Sequence, residues 1–103
     1  VGDYIRTRLR EAGDTTGLLG EVRGKGLFIG AEFVDADGNP NPELVKEIRT
    51  RSYENGVLTW KAGSYNNVLR IIPPLVLTME QAEIGMDIVA EAIEAAAPEV
   101  AAR

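Results

Sequence analysis

Residues 19–34 decide the fold, and they read LGEVRGKGLFIGAEFV. Apolar and polar residues alternate roughly over 19–23, while residues 27–34 are apolar and rich in β-prone side chains. The Gly-Lys-Gly sequence at 24–26 predicts a tight turn or a bulge between these two runs. We therefore expect two consecutive strands with local antiparallel contacts.

Helical patterns surround these strands. Residues 1–13 show helical spacing of apolar residues, and Gly13 suits the left-handed position that ends a helix. A second helix is predicted to begin with Asn41 as its N-cap, followed by Pro42 in the first helical position, and to end at Asn55-Gly56. The last helix begins with a capping box, Thr78-x-x-Gln81, and Pro98 marks its end, so residues 97–103 are expected to fray. Its predicted apolar stripe is Ile84, Ile88, Val89, Ala92, Ile93 and Ala96.

Two further strands are predicted between the second and third helices. Residues 57–60 and 67–72 are β-prone, with a loop at 61–66 between them. Pro73-Pro74 ends the second of these strands because proline cannot donate to a β-ladder. Residues 35–40 form a surface turn by composition. The order α-β-β-α-β-β-α predicts a two-layer α+β domain with helices packed on a small, largely antiparallel sheet.

The composition excludes several classes of function. A formal net charge of −5, with both signs mixed along the 103 residues, argues against nucleic acid and against an anionic membrane surface. The absence of cysteine and histidine removes thiolate nucleophiles, the usual general base and the commonest metal ligands, so no metal site is expected. No run of apolar residues is long enough to span a bilayer and no secretory signal is recognisable, so a cytoplasmic location is expected.

Most motifs that suggest chemistry have simpler explanations. Gly24-x-Gly26-x-x-x-Gly30 lacks the spacing and the following helix of a dinucleotide fingerprint, so we interpret these glycines as turn and bulge residues. Asp35 and Asp37 lie in a turn and lack the later glutamate of a calcium loop. Among the lysines, Lys25 and Lys46 are expected to be solvated, and Lys61 has a small chance of lining a site.

Arg70 is the strongest candidate for a functional side chain. It is a lone cation among apolar neighbours, and alternation places it on the face of Val68 and Ile72, opposite Leu69 and Ile71. Such a guanidinium needs a partner. Chemistry alone leaves two possibilities open: an internal ion pair, with Glu32 or a helix carboxylate, and a fork that binds a substrate carboxylate through two parallel hydrogen bonds.

Two segments together resemble the class III pyridoxal-phosphate-dependent aminotransferases. Residues 22–33, VRGKGLFIGAEF, resemble that family's VRGxGLxxGxEF stretch. Gly56-Val57-Leu58, then Gly63, then residues 67–75, NVLRIIPPL, resemble its GxLx…G…NVxRxxPPL segment. The resemblance covers roughly residues 18–96, with both segments in the family's order.

The resemblance implies that residues 1–103 are the C-terminal small domain of a larger fold type I enzyme, similar to the 4-aminobutyrate, acetylornithine or ornithine aminotransferases. It implies that the helix of residues 1–13 leads from a missing large domain. It also implies a pyridoxal phosphate cofactor and a homodimeric assembly for the larger protein, and a substrate-carboxylate-binding role for Arg70. No lysine here lies in a matching motif, so no catalytic or cofactor-binding residue is expected, and the isolated chain should neither bind the cofactor nor turn over.

Other functions remain open from the sequence. A decarboxylase or an aminomutase of the same fold type would share this layout. A stand-alone ligand-binding module could use Arg70 to hold an acidic metabolite, and a dimerisation domain could use Arg70 in an internal ion pair. Trp60 and Tyr65 are candidates for a surface that packs on the missing domain, although Trp60 could equally be an ordinary core aromatic.

Overall fold

The structure is a computed structural model that describes residues 1–25, 28–63, 65–72 and 77–102. Its elements follow the predicted order and confirm the α+β fold class. They are α1 (Gly2–Thr16), β1 (Leu19–Lys25), β2 (Phe28–Phe33), α2 (Pro42–Glu54), β3 (Trp60–Ala62), β4 (Val68–Ile71) and α3 (Met79–Ala101). The turn at Gly26 and the strand end predicted at Pro73-Pro74 lie outside the described residues.

The four strands form one antiparallel sheet in the order β1-β2-β4-β3. The two central strands, β2 and β4, are therefore separated along the chain by α2 and β3. Asn67 strengthens their junction through two hydrogen bonds to Phe33. Its side-chain amide donates to the Phe33 backbone carbonyl at 3.1 Å, and its backbone carbonyl accepts from the Phe33 backbone amide at 2.9 Å. A buried side-chain amide needs such partners, so Asn67 also fixes where β4 begins.

One face of the sheet packs against the helices. Alternate residues of β2 and β4 point into a single apolar core, to which each helix contributes a buried stripe. The residues of the core with no measurable exposure are Leu9, Ala31, Phe33, Leu44, Val45, Ile48, Leu69, Ile93 and Ala96. The opposite face of the sheet, called the open face below, carries the intervening residues of each strand.

The first helix extends one turn beyond its predicted end. Gly13 lies buried inside α1, where a Cβ atom would stand 2.8 Å from the Leu19 side chain, so glycine is required there by packing. Gly17 takes the left-handed conformation, with φ of 70°, and ends the helix. Both glycines are compatible with a helix end in sequence, and only the close approach of β1 distinguishes them.

The strand predicted at residues 57–60 lies further along the chain. The Val57 amide donates to the Ser52 carbonyl at 2.8 Å, so this residue belongs to the turn that follows α2. Pairing with β4 begins only at Trp60 and includes Lys61 and Ala62, which had been predicted as loop. The start and end predicted for α2, at Asn41 and Asn55, are confirmed.

The third helix begins as predicted and ends later than predicted. Both hydrogen bonds of the capping box form, between the Thr78 hydroxyl and the Gln81 amide and between the Gln81 side chain and the Thr78 amide, each at 3.1 Å. The helix continues through Pro98 to Ala101, because Ala97 is buried against the core and the Pro98 carbonyl accepts from Ala102. Residues 97–101 are therefore helical. Within the predicted stripe, Ile84 is 59% exposed and Ile88 is only partly buried, and neither belongs to the core.

An ion pair joins the first and third helices. The Arg8 guanidinium lies 2.8 Å from the Asp87 carboxylate and donates to the Tyr4 hydroxyl at 2.7 Å. The hydrogen bond to Asp87 raises the pKa of Arg8 above its ordinary value. No helix within the described ranges is both long enough and apolar enough to cross a membrane.

Candidate functional site

Arg70 lies on the open face of the sheet, as its alternation with Leu69 and Ile71 predicts. Leu69 and Ile71 are buried in the core, whereas Arg70 is exposed. Val68 shares the open face and is buried by its neighbours there, including Gly30 and Gly63. The strand thus presents one cation beside an apolar residue.

Four residues form a row across the sheet at the level of Arg70. The strand register pairs Arg23 with Gly30, Gly30 with Arg70, and Arg70 with Trp60. Residues directly opposite one another in adjacent antiparallel strands share a face. Because neighbouring strands are about 4.8 Å apart, the backbones of Arg23 and Arg70 are separated by about 10 Å, with Gly30 between them.

A second row lies beside the first. It consists of Glu21, Glu32, Val68 and Ala62, again paired by the strand register. The carboxylates of this row therefore lie next to Arg23, and its apolar residues lie next to Arg70. This arrangement makes the two ends of the first row electrostatically different.

The two arginines line one shallow depression of about 410 Å³. Four of its lining residues are glycine or alanine: Gly24, Gly30, Ala62 and Gly63. Gly30 matters most because it stands between the arginines, and a side chain there would project into the depression. These small residues leave room for a small anion beside the Arg70 guanidinium.

The partners of the two arginines differ. Arg23 Nη1 lies 3.2 Å from a Glu21 carboxylate oxygen and 3.7 Å from a Glu32 carboxylate oxygen. Arg70 makes no ion pair and no side-chain hydrogen bond within residues 1–25, 28–63, 65–72 and 77–102. The internal ion pair of Arg70 with Glu32, left open by the sequence, is therefore not formed, since Glu32 faces Arg23 instead.

The sequence did not identify Arg23 or Gly30 as parts of this site. Both lie in the VRGxGL-like stretch, but nothing local to that stretch indicates proximity to Arg70. The pairing of β2 with β4 brings them together, and this pairing joins distant parts of the chain. A prediction of strand order would have found them.

An apolar groove of about 440 Å³ is lined by residues of β3, β4 and the first half of α3. Its lining includes Trp60, Leu58 and Ile72, whose exposed fractions are 48%, 60% and 46%. Tyr65, in the loop after β3, is 68% exposed. The possibility that Trp60 is an ordinary core aromatic is thus wrong for this chain, and the interface hypothesis stays a prediction.

The described lysine side chains lie away from Arg70. Lys46 and Lys61 are exposed and line a separate depression beside α2, together with Arg49 and Thr59. Neither lines the depression between Arg23 and Arg70. Lys61, a weak candidate from the sequence for lining a site, lines the depression beside α2 instead.

The acidic turn after β2 is structural. One Asp35 carboxylate oxygen accepts hydrogen bonds from the backbone amides of Asp37 and Asn39, at 2.9 and 3.0 Å. These bonds hold the turn closed, as expected for an Asx-type turn. In the part of the chain that the structure describes, no group of three or more acidic side chains is placed to bind a metal ion.

Comparisons with known proteins give consistent results. The family model for aminotransferase class-III matches residues 1–93. The chain is 45% identical over 94 residues to an alanine/serine racemase of Pyrococcus horikoshii, covering 91% of this chain and 20% of the relative. It is 38% identical over 98 residues to the 4-aminobutyrate aminotransferase GabT of Escherichia coli, covering 93% of this chain and 23% of the relative.

A solved structure shares the same fold. A phospholyase from Arthrobacter, in complex with phosphoethanolamine, superposes with a TM-score of 0.82 at 38% identity, covering 89% of this chain and 22% of that one. The chain thus spans about a fifth of the length of the relatives that it matches.

Proposed function

Because this chain belongs to the class-III aminotransferase family, we propose that it is the C-terminal small domain of a pyridoxal-phosphate-dependent aminotransferase. The larger protein would transfer an amino group between an amino acid or amine donor and a keto acid. In this proposal Arg70 binds the substrate carboxylate. The observation that carries the proposal is the guanidinium of Arg70, which has no ion pair within the described residues and lies on the open face beside a depression lined by small residues.

Arg70 suits this role by its chemistry and its surroundings. A guanidinium presents parallel N–H donors that match the two oxygens of a carboxylate, which fixes the orientation of the bound molecule. Val68 and Ala62 provide an apolar surface beside it. When the depression is covered by the rest of a protein, exclusion of water strengthens such a charge-assisted bond.

The described side chains of the depression do not fit the attachment site of pyridoxal phosphate. The cofactor needs a lysine amine for covalent attachment, and neither Lys46 nor Lys61 lines the depression. We therefore place the attachment site elsewhere in the larger protein. The isolated chain is proposed to hold no cofactor and to have no activity.

The apolar groove supplies a second part of the proposal. We assign it to contact with the remainder of the larger protein, which we propose to be a homodimer. Exposed apolar groups such as Leu58, Trp60 and Ile72 are expected to be covered by a packing partner. The relatives' greater length provides a partner within the same polypeptide.

Quenching of Trp60 fluorescence tests this assignment. The chain has a single tryptophan, so acrylamide should quench the isolated chain strongly. In the larger protein, with its other tryptophans replaced by phenylalanine, quenching of Trp60 should fall several-fold because the partner surface excludes acrylamide. Equal quenching in both proteins would contradict the assignment. A Trp60→Phe variant of each protein gives the background signal.

The visible absorption of the larger protein tests the proposed reaction. The band of the bound cofactor should bleach when an amino donor is added and return when a keto acid is added. A protein that stays colourless after incubation with pyridoxal phosphate would contradict the proposal. The stand-alone binding module would then become the better explanation.

The identity to an alanine/serine racemase favours amino acid racemisation as a second candidate. A racemase also needs to hold the substrate carboxylate, so Arg70 would keep its role. The two reactions differ in their products. A racemase converts one enantiomer of alanine into both without forming pyruvate, whereas an aminotransferase forms pyruvate in proportion to the amino groups transferred. Chiral chromatography and a pyruvate assay on the same sample separate them.

A further inference from the structure

The apolar groove lies at the end of the domain where α1 begins. Its described lining residues come from the first turn of α1, the loop between α2 and β3, the adjacent ends of β3 and β4, and the N-terminal half of α3. Ile5 is the residue that α1 contributes. Any polypeptide that precedes Val1 therefore joins α1 at the edge of this groove.

The first and third helices run parallel to each other. Ile5 and Met86 share the groove near the beginnings of the two helices, whereas Leu18 and Val100 share a depression near their ends. A helical continuation of α1 before its first residue would therefore run along the beginning of α3. The first residue of α3, Met79, is 45% exposed.

The beginning of α1 lacks the side-chain cap that the other two helices have. The first backbone amides of a helix need acceptors from outside the helix. Asn41 supplies such an acceptor to α2, and Thr78 supplies one to α3. Val1 stands at the corresponding position of α1, and valine has no side-chain acceptor. The backbone carbonyls of one further helical turn would satisfy these amides.

The buried stripe of α1 can be extended toward the groove. Ile5, Leu9 and Ala12 are buried at the spacing i, i+4, i+7. Because each helical residue turns by about 100°, the same stripe passes through Val1 and then through the third and seventh residues before Val1. Val1 is still 39% exposed. Side chains at the two earlier positions would face the groove beyond Ile5.

We propose that the segment directly before Val1 continues α1 as a helix and covers the apolar groove with apolar side chains at the third and seventh positions. The inference rests on the proposed function, in which this chain is about a fifth of a longer protein. It names the part of that protein that covers Leu58, Trp60 and Ile72. Gly85, which also lines the groove, has open space where a Cβ atom would stand, so a helix can approach α3 closely there.

Photo-cross-linking in the full-length holoenzyme tests the proposal. Benzoylphenylalanine placed at Leu58, which lines the groove and is 60% exposed, reacts with the polypeptide that lies over it. Mass spectrometry should map the cross-link to the segment directly before Val1. A second probe at Ile72 should map to the same segment if the Leu58 variant folds poorly. The same probe at the exposed Tyr53, which does not line the groove, should give no cross-link to that segment.

Quenching of Trp60 provides a second measurement. Aspartate substituted at the third residue before Val1 should raise acrylamide quenching of Trp60 several-fold in the full-length protein, since a charged side chain does not stay in an apolar groove. Aspartate at the first residue before Val1 is the matched control. Helix geometry places that position away from the groove, so quenching should stay unchanged.

Each outcome decides between the proposals. Cross-links to the segment before Val1, with quenching that differs between the two aspartate variants, support the inference. Cross-links to another part of the larger protein, or to its second subunit, overturn the inference and leave the proposed function standing. If neither groove probe forms a cross-link, the inference is overturned together with the assignment of the groove to the larger protein.

Discussion

The Arg70→Ala variant of the larger protein is expected to lose about 100-fold in kcat/KM for a carboxylate substrate, since charged hydrogen bonds are worth about 1.5–3 kcal/mol. The loss should appear mainly as a higher KM if substrate and transition state share the contact. Because Arg70 is exposed and has no intramolecular partner within the described residues, the free energy of unfolding should change by less than about 1 kcal/mol. Steady-state kinetics and urea denaturation measure the two effects.

Three controls sharpen this prediction. Arg70→Lys keeps the charge but not the fork, so it should recover part of the loss. Arg10→Ala removes an exposed arginine from α1 and should leave kcat/KM unchanged. A donor amine without a carboxylate should react equally well with the Arg70→Ala variant and the parent. A loss of about 3–5 kcal/mol in unfolding free energy would instead indicate a buried ion pair and contradict the substrate-binding role.

Phe33→Ala is expected to cause the largest loss of stability, about 3–5 kcal/mol of unfolding free energy, as is usual for a buried phenylalanine. Phe33 is completely buried in the core, at the end of β2. Its backbone bonds to Asn67 survive the substitution, so the loss reports the side chain alone. Urea denaturation of the 103-residue chain, followed by circular dichroism, provides the measurement.

Tyr53→Ala provides the matched aromatic control. Tyr53 lies on α2 and is 69% exposed, so its removal should change the unfolding free energy by no more than about 0.5 kcal/mol. A cost for Phe33→Ala below about 1 kcal/mol would show that the core as described does not form. If the Phe33→Ala variant is too unstable to purify, Phe33→Leu can replace it. This variant should lose less unfolding free energy than Phe33→Ala and still more than Tyr53→Ala.

The sequence predicted elements well where local chemistry determines them. The Asn41-Pro42 start of α2 and the Thr78-Gln81 capping box depend only on neighbouring residues, and both are confirmed. The alternation that places Arg70 opposite Leu69 is also local, because successive side chains of a strand point to opposite faces. These features could be predicted without knowledge of the rest of the fold.

Tertiary packing decided the features that were predicted wrongly. Gly13 is a plausible helix end until β1 packs against it, and Pro98 is a plausible stop until Ala97 is buried beneath it. The start of β3 depends on which residues reach β4. Tertiary pairing also determines most of the site. Arg70 could be identified from the sequence, whereas the strand order determines that Arg23 and Gly30 are its neighbours.

The strand order also has a kinetic consequence. β1 and β2 are consecutive, so their hairpin can form early from local contacts. The pairing of β2 with β4 must wait until α2 and β3 have been placed, because it closes a long loop at a cost in chain entropy. Arg70 reaches the row of Arg23 and Gly30 only at that step. Assembly of the depression between Arg23 and Arg70 and closure of the sheet are therefore expected to be one late event in folding.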